Sequence, residues 1–253
     1  MFGQTVADEW IFEGEAQIES LSRVMYVAEQ GQPFVLLQGA RGAGKSSLLS
    51  RIQAECQRGA FSTVRINAAA LDSASFLTHL AGALSIVSKN GQSATELMGA
   101  IRDEINGRSV CDHRVVILLD DVHLASESLE PMIRFLSGVN EQTSGGITII
   151  ASAESAVPAS LTALSELRVT LPKFSDQDAT ALVKQKLRRS GVDLSSVTED
   201  AIRAMVAYGA GMPGRLCRAC EIVSIAAETD SSLTINDQLI GELTRETLLA
   251  DVA

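Results

Sequence analysis

A chain of 253 residues with 46% hydrophobic residues can bury a sizeable core, as one large domain or a core with a small companion, and is too apolar for disorder. A formal net charge of −10 and a pI near 4.8 argue against a surface built chiefly to grip nucleic acid. No apolar run approaches the ~20 residues of a membrane span, and MFGQTVADEW lacks the basic and apolar regions of a signal peptide, so a cytoplasmic protein is expected.

In chain order, an aromatic-bearing start (Phe2, Trp10, Phe12) precedes Ala16, Ile18, Leu21, Val24, Met25 and Ala28, which recur at helical spacing up to Gly31 and Pro33. The start could drape over a bound base, or Trp10 could cap the core. Phe34–Leu37 reads as a buried strand. It leads into QGARGAGKSSLL, where Gly39, Gly42, Gly44, Lys45 and Ser46 spell G-x-x-x-x-G-K-[ST].

That pattern carries a mechanism. Glycines let backbone N–H groups approach phosphate oxygens, Lys45 brings a compact positive charge to the β/γ-phosphates, and the Ser46 hydroxyl can join a Mg²⁺ shell. Leu48, Leu49, Ile52 and Cys56 continue as a helix whose positive end faces the anion. The expected nucleotide cradle is therefore Gly39, Ala40, Arg41, Gly42, Ala43, Gly44, Lys45, Ser46 and Ser47.

A second strand, Phe61–Ile66, ends at Asn67. Phe76, Leu77, Leu80, Leu84 and Val87 mark a helix, and after a polar turn around Lys89–Ser93, Leu97, Met98, Ile101 and Ile105 mark another. Val115–Leu119 are apolar without alternation, the pattern of a parallel strand covered on both faces, and Asp120-Asp121 follow at its end, where α/β sheets bind ligands. Asp120 is the expected Walker-B acid, holding Mg²⁺ through water opposite Ser46. Asp121 stands where many ATPases place a water-polarising Glu. It is one methylene shorter, setting its carboxylate back by about 1.5 Å. Slow turnover, and a gain on Asp121→Glu, are expected. His123 is a minor candidate at the site, more simply read as a solvated residue at a helix start.

Leu129, Met132, Ile133 and Leu136 give a further helix, Ile147–Ser152 a fourth strand and Val169–Leu171 a fifth, with Arg168 just before it. Ser152, at a strand end, could hydrogen-bond a γ-phosphate. Strands alternating with helices predict a doubly wound parallel five-stranded α/β domain over 1–172. From Ser175, a cap with Asp178 three residues on, only helical patterns follow: Leu182–Leu187, Thr198–Val206, Pro213–Ala227 and Ile235–Leu243. A small all-helical domain is expected over 173–253. Cys217 and Cys220 fall inside one of these patterns. With no second Cys or His pair nearby they read as core, and all four cysteines as free thiols.

VLLQGARGAGKSS, VVILLDDVHLAS and YGAGMPGRLCRACEIVSIAA together resemble an AAA+ P-loop ATPase with a helical lid. More narrowly they are similar to the bacterial branch of ExeA-type secretion, MSHA-type pilus, TniB/MuB-like transposition and DamX-type division proteins. The resemblance implies Mg-ATP between core and lid, a homo-oligomer, and a protein partner in a larger assembly, with peripheral contact at the inner membrane face through that partner. It assigns Ser152 as sensor 1, Arg168 as the finger inserted by a neighbouring subunit, and Arg215 as the lid arginine. Gly214 stands between Pro213 and Arg215 where many relatives place Arg directly, which turns the side chain by ~100°. A solvated edge-strand arginine is the plain alternative for Arg168. The alternative function is a nucleotide-gated binding module with little turnover. A GTPase would need an N-K-x-D-like determinant that the sequence lacks.

Overall fold

The computed structural model describes residues 12, 14–87, 92–154, 157–230 and 233–250. The readings placed on Phe2, Trp10 and the turn around Lys89–Ser93 fall, apart from Gln92 and Ser93, outside these residues. Two compact units are present: Gln17–Ala40 with Lys45–Leu171, and Pro172–Ala253 with Arg41–Gly44 and the described residues up to Ala16.

The first unit holds a five-stranded, wholly parallel sheet of β1 (Phe34–Gln38), β2 (Phe61–Asn67), β3 (Arg114–Asp120), β4 (Ile147–Ala153) and β5 (Leu167–Thr170), in the order β2-β3-β4-β1-β5. β1, β3 and β4 are buried on both faces because their runs are apolar at successive positions: Phe34–Leu37, Val115–Leu119 and Ile149–Ala151 are all 0% exposed. Phe34, Leu36, Val115, Ile117, Leu119, Ile147 and Ile149 share one core with helices α3 (Ser73–Ala83), α4 (Ala94–Val110) and α5 (Leu129–Gln142). The alternate residues face α2 (Lys45–Cys56), whose Leu48, Leu49, Ile52 and Cys56 are buried. α4 starts at a capping box, with Ser93 and Glu96 satisfying each other's N–H groups.

Before β1, α1 (Glu15–Glu29) buries Ser20, Val24 and Ala28. It stops at Gly31, whose φ of +67° suits glycine, and a Cβ there would lie 2.8 Å from the Gly145 Cα. Asn140, buried in α5, ties this turn to the sheet by donating to the carbonyls of Gly31 and Ile147.

Three expectations for this unit's helices and strands change. Ile18, assigned to the buried stripe of α1, is 48% exposed. Val87 lies beyond the end of α3: Ser85 takes a left-handed φ of 63°, the helix closes at Ala83, and Val87 is 87% exposed. Arg168 is inside β5, which follows the short α6 (Ala159–Leu164) and starts two residues earlier than the pattern suggested.

The second unit packs α7 (Asp176–Arg189), α8 (Glu199–Gly209), α9 (Pro213–Thr229) and α10 (Asp237–Ala250) around Leu182, Val183, Leu187, Ile202, Met205, Leu216 and Val223. Ser175 caps α7 by accepting the Asp178 N–H, Thr198 caps α8, and Pro213 opens α9. Ile235, read as helical, precedes α10 and bridges Val197 as a short extended pair. Cys220 sits in this core with Cys217 packed against it. Among the described residues no helix is long and apolar enough to cross a membrane, and no cluster of His, Cys, Asp or Glu could hold a metal.

Candidate functional site

Parallel strands send their C-terminal ends to one edge, so the segments following β1, β3 and β4 converge there. After Gln38, Gly39 donates its N–H to the Ala153 carbonyl. Gly42 and Gly44 take φ values of +81° and +94°, a path that closes to most side chains, and α2 begins at Lys45 with no acidic residue in its first turn. Lys45 is only 7% exposed. Its ammonium donates to the Gly39 carbonyl at 2.9 Å and the Ala40 carbonyl at 3.3 Å, and among the described residues it meets no carboxylate. A buried cation held by carbonyls alone, at the positive end of a helix, fits an anion of high charge density.

Arg41–Gly44 associate with the helical residues. The Gly214 N–H donates to the Gly42 carbonyl at 2.9 Å, and a Cβ on Gly214 would come within 3.1 Å of the Gly42 Cα. Glycine at 214 thus permits a backbone approach that an arginine there would impede. Arg215 is exposed, with no ion pair among the described residues.

At the end of β3, Asp120 is 6% exposed and paired in register with Asn67. Its Oδ1 accepts from the Ser152 hydroxyl, and its Oδ2 accepts from the Arg65 guanidinium at 3.2 Å. Ser152 is fully buried on β4 and also accepts the Asp121 N–H at 3.0 Å. A serine hydroxyl has one proton, and this one goes to Asp120. Ser152 is therefore no free donor for a γ-phosphate in this arrangement, and instead it orients the acid.

Asp121 follows with φ 56° and ψ 45°, a left-handed conformation that Asp tolerates better than longer side chains. Its carboxylate lies 4.0 Å from His123 Nδ1, while His123 Nε2 is 3.9 Å from Glu154. The His123 side chain is 12% exposed and Nδ1 accepts the Glu154 N–H at 3.4 Å, so it is tucked against the site and not solvated as the sequence suggested. Arg168 is an exposed residue of the edge strand β5, paired through its backbone with Leu36.

Sequence reasoning passed over Arg65. On β2 it alternates with buried Val64 and Ile66, and its guanidinium spans Ser46 O at 3.1 Å, Ser50 Oγ at 2.6 Å and Asp120 Oδ2 at 3.2 Å. The signal was a lone cation close to the end of an edge strand. The oxygens offered by Ser46 and Asp120 suit a hard divalent cation such as Mg²⁺. One guanidinium nitrogen bridges the Ser46 backbone carbonyl and the Asp120 carboxylate, which brings the first turn of α2 and the end of β3 to the same cation.

A parallel α/β sheet with this glycine loop after its first strand, and paired acids after β3, defines a P-loop nucleotide-binding protein. The chain belongs to the AAA domain family, whose profile matches residues 28–159, more than half of its length. Among solved structures, Orc1 of Aeropyrum pernix, determined in complex with DNA, is similar with a TM-score of 0.68 and 16% identity, over 97% of this chain and 68% of that one. Cdc6p from Pyrobaculum aerophilum gives a TM-score of 0.70 and 14% identity, over 89% and 67%. The Thermotoga maritima RuvB Holliday junction branch migration motor gives 0.60 and 13%, over 92% and 69%. At these identities the likeness is one of fold. No curated protein sequence matches.

Proposed function

We propose that this chain is an ATPase module that binds Mg-ATP on the Gly39–Ser47 loop and couples its turnover to rearrangement of a partner complex. The observation that carries this reading is Lys45, a buried ammonium held by two carbonyls with no counter-carboxylate among the described residues. Ser46 and Asp120 would hold Mg²⁺, which would offset the charge of the phosphates. Ser152 and Arg65 fix the Asp120 carboxylate, and Asp121 orients the attacking water from a carboxylate about one-third exposed. Arg168, exposed on an edge strand, is available to a neighbouring subunit of a homo-oligomer. The sequence likeness to the ExeA, MSHA-pilus, TniB/MuB and DamX-like branch favours a protein partner in a bacterial assembly. The net charge of −10 does not favour nucleic acid.

A second reading, a nucleotide-gated binding module with little turnover, is favoured by the short Asp121 side chain. Calorimetry with ATP and a phosphate-release assay test both readings. Wild type should bind ATP in the micromolar range, and Lys45→Ala should weaken binding at least about a hundredfold through loss of a charge-assisted contact. Equal affinities in the two proteins would refute the site. ATP binding with no phosphate burst, even with a partner present, would select the module.

A further inference from the structure

The acid that should face the metal is already occupied by a cation of the protein. Arg65 reaches from β2 across to β3 and α2, donating from Nη2 to Ser46 O and Asp120 Oδ2 and from Nη1 to Ser50 Oγ. Asp120 accepts from Ser152 on its other oxygen, so each of its oxygens already holds a protein partner. Asp120 is nearly buried while Arg65 reaches it from the solvent side, with side-chain exposures of 9% and 30%. A guanidinium keeps its charge at every working pH and cannot withdraw by losing a proton. All five residues belong to the same compact unit.

We propose that Arg65 is a tethered cation that competes with the divalent metal for Asp120 and thereby sets the metal affinity of the site. Without metal it neutralises the acid and ties β2 and β3 to the first turns of the phosphate-loop helix. When metal enters beside Ser46, the guanidinium must surrender part of Asp120 and remain close to a dication. Two features follow. The metal binds more weakly than the bare acid and hydroxyl would allow, and nucleotide affinity depends only shallowly on Mg²⁺. The inference rests on the proposed function in taking Ser46 and Asp120 as the metal position.

The test is a Mn²⁺ titration of the full chain with saturating ADP, read by the loss of the free-ion paramagnetic resonance signal. Arg65→Met removes the charge and keeps most of the stem, while Arg65→Gln serves where Met costs the fold, judged by circular dichroism. Either should tighten Mn²⁺ about tenfold, the repulsion of a single and a double charge about 6 Å apart in a water-like medium. Arg65→Lys, which keeps the charge, should stay within about threefold of wild type. Mn²⁺ affinity that is unchanged or weaker in the neutral variants overturns the proposal. ADP titrated in EDTA should bind wild type and the neutral variants alike, and a loss there would make Arg65 a phosphate ligand and also overturn it. A wild-type chain that binds no ADP would defeat the proposed function instead. Mn²⁺ titrated without nucleotide would then decide the competition at Asp120 alone.

Discussion

Ser152→Ala isolates the device that holds the metal-bearing acid. The hydroxyl is 0% exposed, donates to Asp120 Oδ1 and accepts the Asp121 N–H at 3.0 Å. Its removal leaves a nearly buried carboxylate oxygen and a backbone N–H without their partner, and nothing of equal size replaces it. A hydrogen bond to an ionised group contributes about 1.5–3 kcal/mol and a neutral one about 0.5–1.5, so the change should cost about 2–4 kcal/mol. Two compact units unfold with different midpoints as readily as with one, so a single global transition is a poor gauge. Hydrogen exchange of the β3 and β4 amides, followed by mass spectrometry on protein without nucleotide, reads the sheet directly. Exchange there should accelerate about 30- to 1000-fold, while amides of α7–α9 remain within about twofold. Ser152→Cys, with a weak donor of similar shape, should fall between. An acceleration below about threefold would refute this wiring and return Ser152 to the role of a phosphate sensor, which acts only when nucleotide is present.

What the sequence revealed and what it hid divide along the range of the interaction. The inner strands were legible because burial on both faces demands apolar residues at every position, as in Val115–Leu119. The phosphate loop was legible because its glycines and lysine are contiguous. Spacing misled where a local backbone event ends an element while apolar residues continue, as at Ser85 ahead of exposed Val87. Arg65 was invisible because its meaning depends on Asp120, 55 positions away, and on the Ser46 carbonyl, 19 positions away. Ser152 was placed correctly at a strand end, but the destination of its proton depends on the parallel register of β4 against β3 and so is a property of the folded sheet.

The thiols give a pH signature. Burial pushes Cys220 up to about 12, with Cys217 adding to it, and burial with Glu55 and Glu29 pushes Cys56 up to about 11, against an ordinary value of 9.0. The folded state favours the protonated thiols, so their contribution is complete below pH 9 and is lost as pH rises through 9 towards 11–12. Melting temperature should drop over that window and drop less in Cys220→Val, and an equal drop would refute the burial argument. Asp121→Glu bears on the chemistry, and the local backbone argues for the opposite outcome to the gain expected from side-chain length alone. A longer acid would bring the carboxylate forward by about 1.5 Å if the backbone stayed in place. However, φ is 56° at this residue, its N–H is committed to Ser152, and its carboxylate lies 4.0 Å from His123. Glu is less at ease in that conformation, and relaxing it would pull the N–H from Ser152 and shift Asp120 as well. The expected result is a phosphate-release rate lowered about ten- to a hundredfold at unchanged ATP affinity, the usual effect of a misplacement on the order of 1 Å at a reacting group. A rise in rate would show that the backbone absorbs glutamate without cost and that Asp121 is merely too short.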